Sequence, residues 1–458
     1  MQFDKLRPLL NRRQLLAAAA LAMSAVPSLA QSSFKTLRVT RRTLEVLKKP
    51  AEVFAIEGAD KLNLVAGGRF SLRLENDQPE GTIVHWHGLT PPSALDGSHL
   101  SQGIIKHGSS FEYDFVNDRG GTFWMHSHVG LQAQKLLAAP LIVRSVEDFA
   151  LDEQEHVLML HDFTFRDAEQ IFQELKAGKG AHAAHTHGAQ GLNDVAFDAY
   201  LANDRTLDDP EIVRVEPAGR VRLRVINASA TSNMMIDLGA LEAELISLDG
   251  NAIETIRTRS FGLAVAQRAD IRITLPPGGG AYPILARPEG TSQRTGIVLA
   301  TAGAAIPIFM KDGEPMGAVA DVALEARLKA QRGLAERMPE RVETLDLGGG
   351  EADYAWTING NSDHSGVIAQ VRLGERVEWT LRNQTGMSHP MHLHGHHFQI
   401  VAIGGTRFEG AMRDTVLVPA KGEVTIAFDA DNSGRWPFHC HHLYHFHAGM
   451  AGVVEYVS

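Results

Sequence analysis

The chain has 458 residues, 44% of them hydrophobic and 21% charged, and a net charge of −10. One hydrophobic core serves at most about 250–300 residues, so several domains are expected. The acidic balance excludes a nucleic-acid role resting on a basic surface, and the single cysteine, Cys440, excludes an intramolecular disulfide.

Residues 1–30 read as an export signal. Lys5, Arg7, Arg12 and Arg13 precede an apolar run from Leu15 to Val26, and Ser28-Leu29-Ala30 offers a small-residue cleavage site. The run is too short to span a bilayer, so no membrane anchor is expected. Asn11-Arg12-Arg13-Gln14-Leu15-Leu16 is similar to a twin-arginine signal, which implies the twin-arginine export machinery as a partner. Adjacent arginines before an apolar run also occur in ordinary secretory signals.

Beyond the signal the chain repeats itself. Gly68-Arg-Phe-Ser-Leu-Arg-Leu-Glu-Asn76, Gly219-Arg-Val-Arg-Leu-Arg-Val-Ile-Asn227 and Gly374-Glu-Arg-Val-Glu-Trp-Thr-Leu-Arg-Asn383 each alternate apolar with polar residues after a glycine. A second set agrees: Gly121-Thr-Phe-Trp-Met-His-Ser-His128, Gly280-Ala-Tyr-Pro-Ile-Leu-Ala-Arg287 and Gly434-Arg-Trp-Pro-Phe-His-Cys-His441. Alternation after a glycine is common in β proteins, but two sets sharing one period of about 150 residues are not. The expectation is an all-β protein of three β-sandwiches, at 31–148, 149–305 and 306–458. Two segments break the pattern. Residues 321–337 are rich in helix formers and predict a connector helix. Residues 164–192 combine a short helical stretch with His182, His185 and His187, which read as a polar surface loop or as an extra metal contact or lid.

Histidine is concentrated in four places: His85-Trp-His87, His126-Ser-His128, His389-Pro-Met-His392-Leu-His394 and His439-Cys440-His441, the last followed by His445 and Met450. On a strand, side chains alternate faces, so each His-x-His pair aims both rings one way and Cys440 points opposite to its neighbours. A thiolate, a thioether and two imidazoles form the donor set of a blue-copper electron-transfer site. The second repeat puts Leu285 and Arg287 where the others have histidine, and Met234-Met-Ile-Asp237 near the position of the first pair. It therefore reads as a spacer without copper ligands, and the shared cluster falls between repeats one and three.

The four clusters, with His-Cys-His-x₃-His-x₄-Met in full, resemble the signature of the multicopper oxidases: laccases, ascorbate oxidase and bacterial cuprous oxidases. The resemblance implies three consecutive cupredoxin-like Greek-key domains holding four copper ions. It implies that His389, Cys440 and His445 bind the type 1 copper with Met450 axial, and that electrons enter at His445. His85 and His392 would hold the type 2 copper, and His87, His126, His128, His394, His439 and His441 the type 3 pair. Asp96 corresponds to an acid that passes protons toward oxygen, though Asp96-Gly97 is also an ordinary turn pair. Where many bacterial relatives carry an acid after the last type 1 histidine, this chain has Phe446. His396, His397, His442 and His447 flank the ligands without matching them, and Arg413-Asp414-Thr415 reads as structural.

The implied activity is one-electron oxidation of a reductant coupled to four-electron reduction of O2 to water, in a monomer exported to the periplasm. An axial methionine implies a low-to-moderate potential, suited to phenols, aromatic amines or Cu(I). The 13 methionines form no cluster, which favours a laccase-like enzyme. The Leu443-Tyr444-His445 run is similar to copper-resistance oxidases and keeps a periplasmic cuprous oxidase as the alternative. A copper-sequestering protein or a non-catalytic scaffold is disfavoured, the latter because all twelve ligand positions are filled.

Overall fold

The structure is a computed structural model describing residues 34–179, 192–350 and 353–458. The expected export signal and His182, His185 and His187 lie outside the described residues. The described strands form six sheets, two for each repeat. In the first, one sheet runs Lys49–Glu57, Lys35–Val46, Gly68–Asn76, Ser110–Asn117, and the other Leu64–Val65, Ala138–Arg144, Gly121–Ser127, Val84–His87. Alternation along Gly68–Asn76 buries Phe70, Leu72 and Leu74, which share one core with Trp86, Phe123 and Leu141 of the other sheet. Each such side chain contributes about 1.5–3 kcal/mol by leaving water. The second repeat has sheets of six and five strands, the third of seven and five.

The repeats match in topology as well as in sequence. The strands Gly68–Asn76, Arg220–Asn227 and Arg376–Asn383 each lie parallel to the first long strand of their own unit. Val84–His87, Met234–Asp237 and His389–Leu393 each pair antiparallel with the strand that follows the second repeated glycine. Those glycines, Gly121, Gly280 and Gly434, have φ of +150°, +151° and +150°, a region closed to other residues. A Cβ on Gly121 would lie 2.6 Å from Gly250 Cα, and one on Gly434 would lie 2.4 Å from Ser93 Cβ.

The connector differs from the sequence reading. Only Val322–Glu325 is helical, capped by Asp321 through Leu324 N–H. The chain then runs extended, with Ala330 bridged to Ile253 and Gln331 N–H bonded to Ala252 carbonyl. Helix propensity is a weak prior, and here backbone pairing to the second repeat, with Leu328 buried, overrides it. The helix expected within 164–192 spans Ala168–Lys176, with Asp167 accepting from Gln170 N–H at 3.0 Å. No described helix is long and apolar enough to cross a membrane.

Candidate metal centres

Folding brings the four histidine clusters together in two buried groups. In the first, His389 sits on the strand His389–Leu393 and Cys440 ends the paired strand Arg435–Cys440, while His445 comes from the short helix Leu443–His447. Met391 faces Cys440 across the ladder. The Cys440 Sγ lies 3.6 Å from His389 Nδ1 and 3.8 Å from His445 Nδ1, and the two nitrogens are 3.2 Å apart. Each ring is held by its other nitrogen: His389 Nε2 by the Thr385 hydroxyl at 2.7 Å, His445 Nε2 by Asp194 Oδ2 at 2.7 Å. Met450 is fully buried, and its backbone bonds to Cys440 N–H and to the His445 carbonyl. Trp356 stacks on the His445 ring at 4.0 Å.

The second group gathers the other eight histidines from repeats one and three. Three sets have nitrogens within 4.8 Å of one another: His85, His87 and His392; His87, His126 and His441; His128, His394 and His439. These rings are also anchored from behind. His85 Nδ1 donates to the Asp96 carbonyl at 2.9 Å, His392 Nδ1 to the Asp414 carbonyl at 2.8 Å, and His394 Nδ1 to Asp96 Oδ2 at 2.9 Å. His126 and His439 donate Nδ1 to the carbonyls of Ser127 and Cys440. His87 is turned the other way, its Nε2 donating to Asp414 Oδ1 at 3.1 Å. A carbonyl or carboxylate only accepts, so each bond fixes the tautomer and leaves the opposite nitrogen with its lone pair free.

Most of those opposite nitrogens are left bare, while Nε2 of His394 and Nε2 of His439 face each other at 3.0 Å. Among the described residues, Nε2 of His85, His126, His392 and His441, Nδ1 of His87 and both nitrogens of His128 are buried without a hydrogen-bond partner. Burial, then repulsion between the rings, holds His87, His126, His128, His394 and His441 well below the ordinary imidazole range, and burial brings His439 down to about 3. Burial also pushes the Cys440 thiol up, so a thiolate exists there only beside a cation. Bare imidazole nitrogens in one group, and a thiol beside two imidazoles in the other, fit copper, whose affinity for nitrogen and sulfur donors exceeds that of the other divalent first-row metals.

Asp96 caps the 3-10 turn Ser93–Leu95, ahead of Gly97 at φ +79°, and its carboxylate faces the cluster rings. Asp96 is 1% exposed, with Oδ1 3.3 Å from His85 Nδ1 and Oδ2 on His394. Flanking histidines are engaged elsewhere: His396 with Tyr456 hydroxyl, His397 with the Gly88 carbonyl, His447 with the Gly130 carbonyl. Phe446 packs on His128, His439 and His364. Sequence reading missed three partners. Asp414 supports His87 and His392, so Arg413-Asp414-Thr415 is not merely structural. Arg268 of the second repeat grips both Asp414 oxygens, and its guanidinium holds that carboxyl well below the usual range against burial. Asp194, also from the second repeat, anchors His445. Among its described residues that repeat adds no histidine or cysteine to either group, yet it is more than a spacer. No motif marks these residues, since Arg268 meets Asp414 across 146 positions, Asp194 meets His445 across 251 and Asp414 meets His87 across 327.

Comparison with known proteins agrees with this geometry. Family models described as multicopper oxidase match residues 38–148, 154–307 and 336–458. Multicopper oxidase MmcO of Mycobacterium tuberculosis is 30% identical over 413 residues, covering 86% of this chain and 81% of the relative. Copper resistance protein A of Escherichia coli is 24% identical, covering 85% and 86%. The fold is similar to the crystal structure of a laccase from Botrytis aclada, with TM-score 0.75 and 22% identity over 92% of this chain and 86% of that one. The chain belongs to the multicopper oxidase family and is a copper-dependent oxidoreductase that uses O2.

Proposed function

We propose that this chain is a laccase-like oxidase that takes single electrons from a phenol or aromatic amine at the His445 edge. The observation that carries this reading is the Asp194 carboxylate on His445 Nε2, with the aspartate side chain 16% exposed. A carboxylate beside the ring through which the electron enters accepts the O–H or N–H of such a donor and orients it against that ring. Copper at these residues supplies one-electron acceptance at the cysteine group and reduction of O2 to water at the eight-histidine group. His389, Cys440, His445 and Met450 are proposed as the type 1 ligands. His85 and His392 are assigned to type 2, and His87, His126, His128, His394, His439 and His441 to type 3.

Peptide bonds join Cys440 directly to His439 and His441, giving a short covalent path between the groups. Asp96, buried between His85 and His394, keeps a carboxylate within one hydrogen bond of the cluster rings and is proposed to pass protons into the eight-histidine group. The division into 31–148, 149–305 and 306–458, export from a signal at 1–30 and a periplasmic site of action belong to the same reading.

The second reading is a cuprous oxidase in copper tolerance, favoured by the similarity to copper resistance protein A. Against it, among the described residues the hydrogen-bonding groups gathered at the His445 edge are the oxygens of Asp194 and Tyr354, with the His442 imidazole buried 4.8 Å from the ring, and Cu(I) prefers sulfur and imidazole. Turnover of Cu(I) and of 2,6-dimethoxyphenol on one copper-loaded sample separates the two. The laccase reading expects the higher kcat/KM with the phenol, and a preference for Cu(I) rejects it.

A further inference from the structure

Tyr354 lies just before the strand Ala355–Ile358 in the third repeat, and its φ is +54°. A bulky L-residue adopts that region only when its surroundings enforce it, and such residues gather at functional positions. Tyr354 lies in the turn that leads into that strand, and its hydroxyl donates to Asp194 Oδ2 at 2.5 Å. The same oxygen accepts His445 Nε2 at 2.7 Å. Tyr354 is 6% exposed, with its ring centroid 5.9 Å from Trp356 and 6.1 Å from His445. The protein thus sets a phenol of its own against the carboxylate beside the electron-entry ring.

A carboxylate oxygen offers two lone pairs. On Asp194 Oδ2 one serves His445 and the other serves Tyr354, so an incoming donor reaches this oxygen only by displacing one of them. Displacing His445 would free a ring of the cysteine group, whereas displacing Tyr354 costs only an internal phenol contact. We infer that Tyr354 is a specificity-determining residue: its hydroxyl occupies the Asp194 oxygen that a phenol or aromatic amine would use, and so sets how tightly such donors bind. The inference rests on the proposed role of Asp194. It distinguishes reductants that must hydrogen-bond from reductants that only need to approach the ring.

The test is steady-state kinetics of copper-loaded Tyr354→Phe and Tyr354→Leu with 2,6-dimethoxyphenol and with hexacyanoferrate(II), which has no hydrogen to donate. Removing the hydroxyl should lower the ratio of phenol KM to hexacyanoferrate KM about tenfold, the size of one hydrogen bond to a charged group. The visible absorption of the cysteine site reports that each variant is folded and loaded. An unchanged or raised ratio in both variants overturns the inference. Asp194→Asn separates the two levels. If it leaves phenol KM unmoved, the reading of Asp194 fails and the inference falls with it. If it raises phenol KM while Tyr354→Phe has no effect, only Tyr354 loses its role.

Discussion

The second repeat and the third share a sheet order but put different chemistry on it. Met234–Asp237 occupies the sheet position of His389–Leu393, and Ala281–Pro288 that of Arg435–Cys440. The third repeat uses those strands for His389, His392, His439 and Cys440, while the second fills them with Met234, Ile236, Ile284 and Ala286, all buried in its core. What the second repeat gives the metal centres lies elsewhere: Arg268 behind Asp414, and Asp194 behind His445. Most donors sit on repeated strands or just past their ends, and three of the groups that orient them reach across a seam: Asp194 to His445, Asp96 to His394 and Asp414 to His87.

The sharpest way to break that comparison is at the thiol. Cys440→Ser removes the one sulfur anion and should abolish both visible colour and oxidation of every reductant, while leaving the eight-histidine group able to bind copper. Visible absorption with metal analysis checks it, and retained colour would undo the assignment. Next comes the anchor from across the seam. Asp414→Asn weakens the bond that fixes the His87 tautomer, and loss of such a partner costs about 10- to 100-fold in metal affinity or activity. Copper titration should show this loss at the cluster only, with the colour of the cysteine site retained. A smaller effect is expected for Asp96→Asn. Its hydrogen bond to His394 is largely kept, so oxygen consumption should fall as proton delivery slows, with colour and copper content unaffected.

The last contrast concerns stability rather than turnover. Glu289 of the second repeat is 1% exposed, and burial raises its carboxyl from 4.5 to about 7. The folded protein therefore keeps the proton that the unfolded chain loses near pH 4.5. Stability contributed this way is full below pH 4.5 and is lost as pH rises toward 7, by about 3 kcal/mol. Glu289→Gln should flatten that part of the stability–pH profile in denaturant melts, and an unchanged slope would assign it to other groups.

The repeats and the donors were legible because both are periodic. The glycine at 121, 280 and 434 needs the same φ three times, and alternation on a strand forces two ligands into His-x-His. Asp194, Arg268 and Asp414 were not legible, because a single charged residue becomes a partner only once the fold brings another unit against it. The connector was misread for a related reason. Helix formers at 321–337 describe a local preference, while Leu328 and Ala330 are placed by contacts with the second repeat.

The central claim is that one thiol and ten imidazoles converge into two separate copper sites. Anomalous diffraction at the copper edge from crystals of the loaded protein tests it without reference to turnover. The expected map has one peak inside the triangle of Cys440, His389 and His445, and three more among the eight histidines between repeats one and three. Peaks confined to the protein surface, or a single peak in place of the group of three, would contradict it.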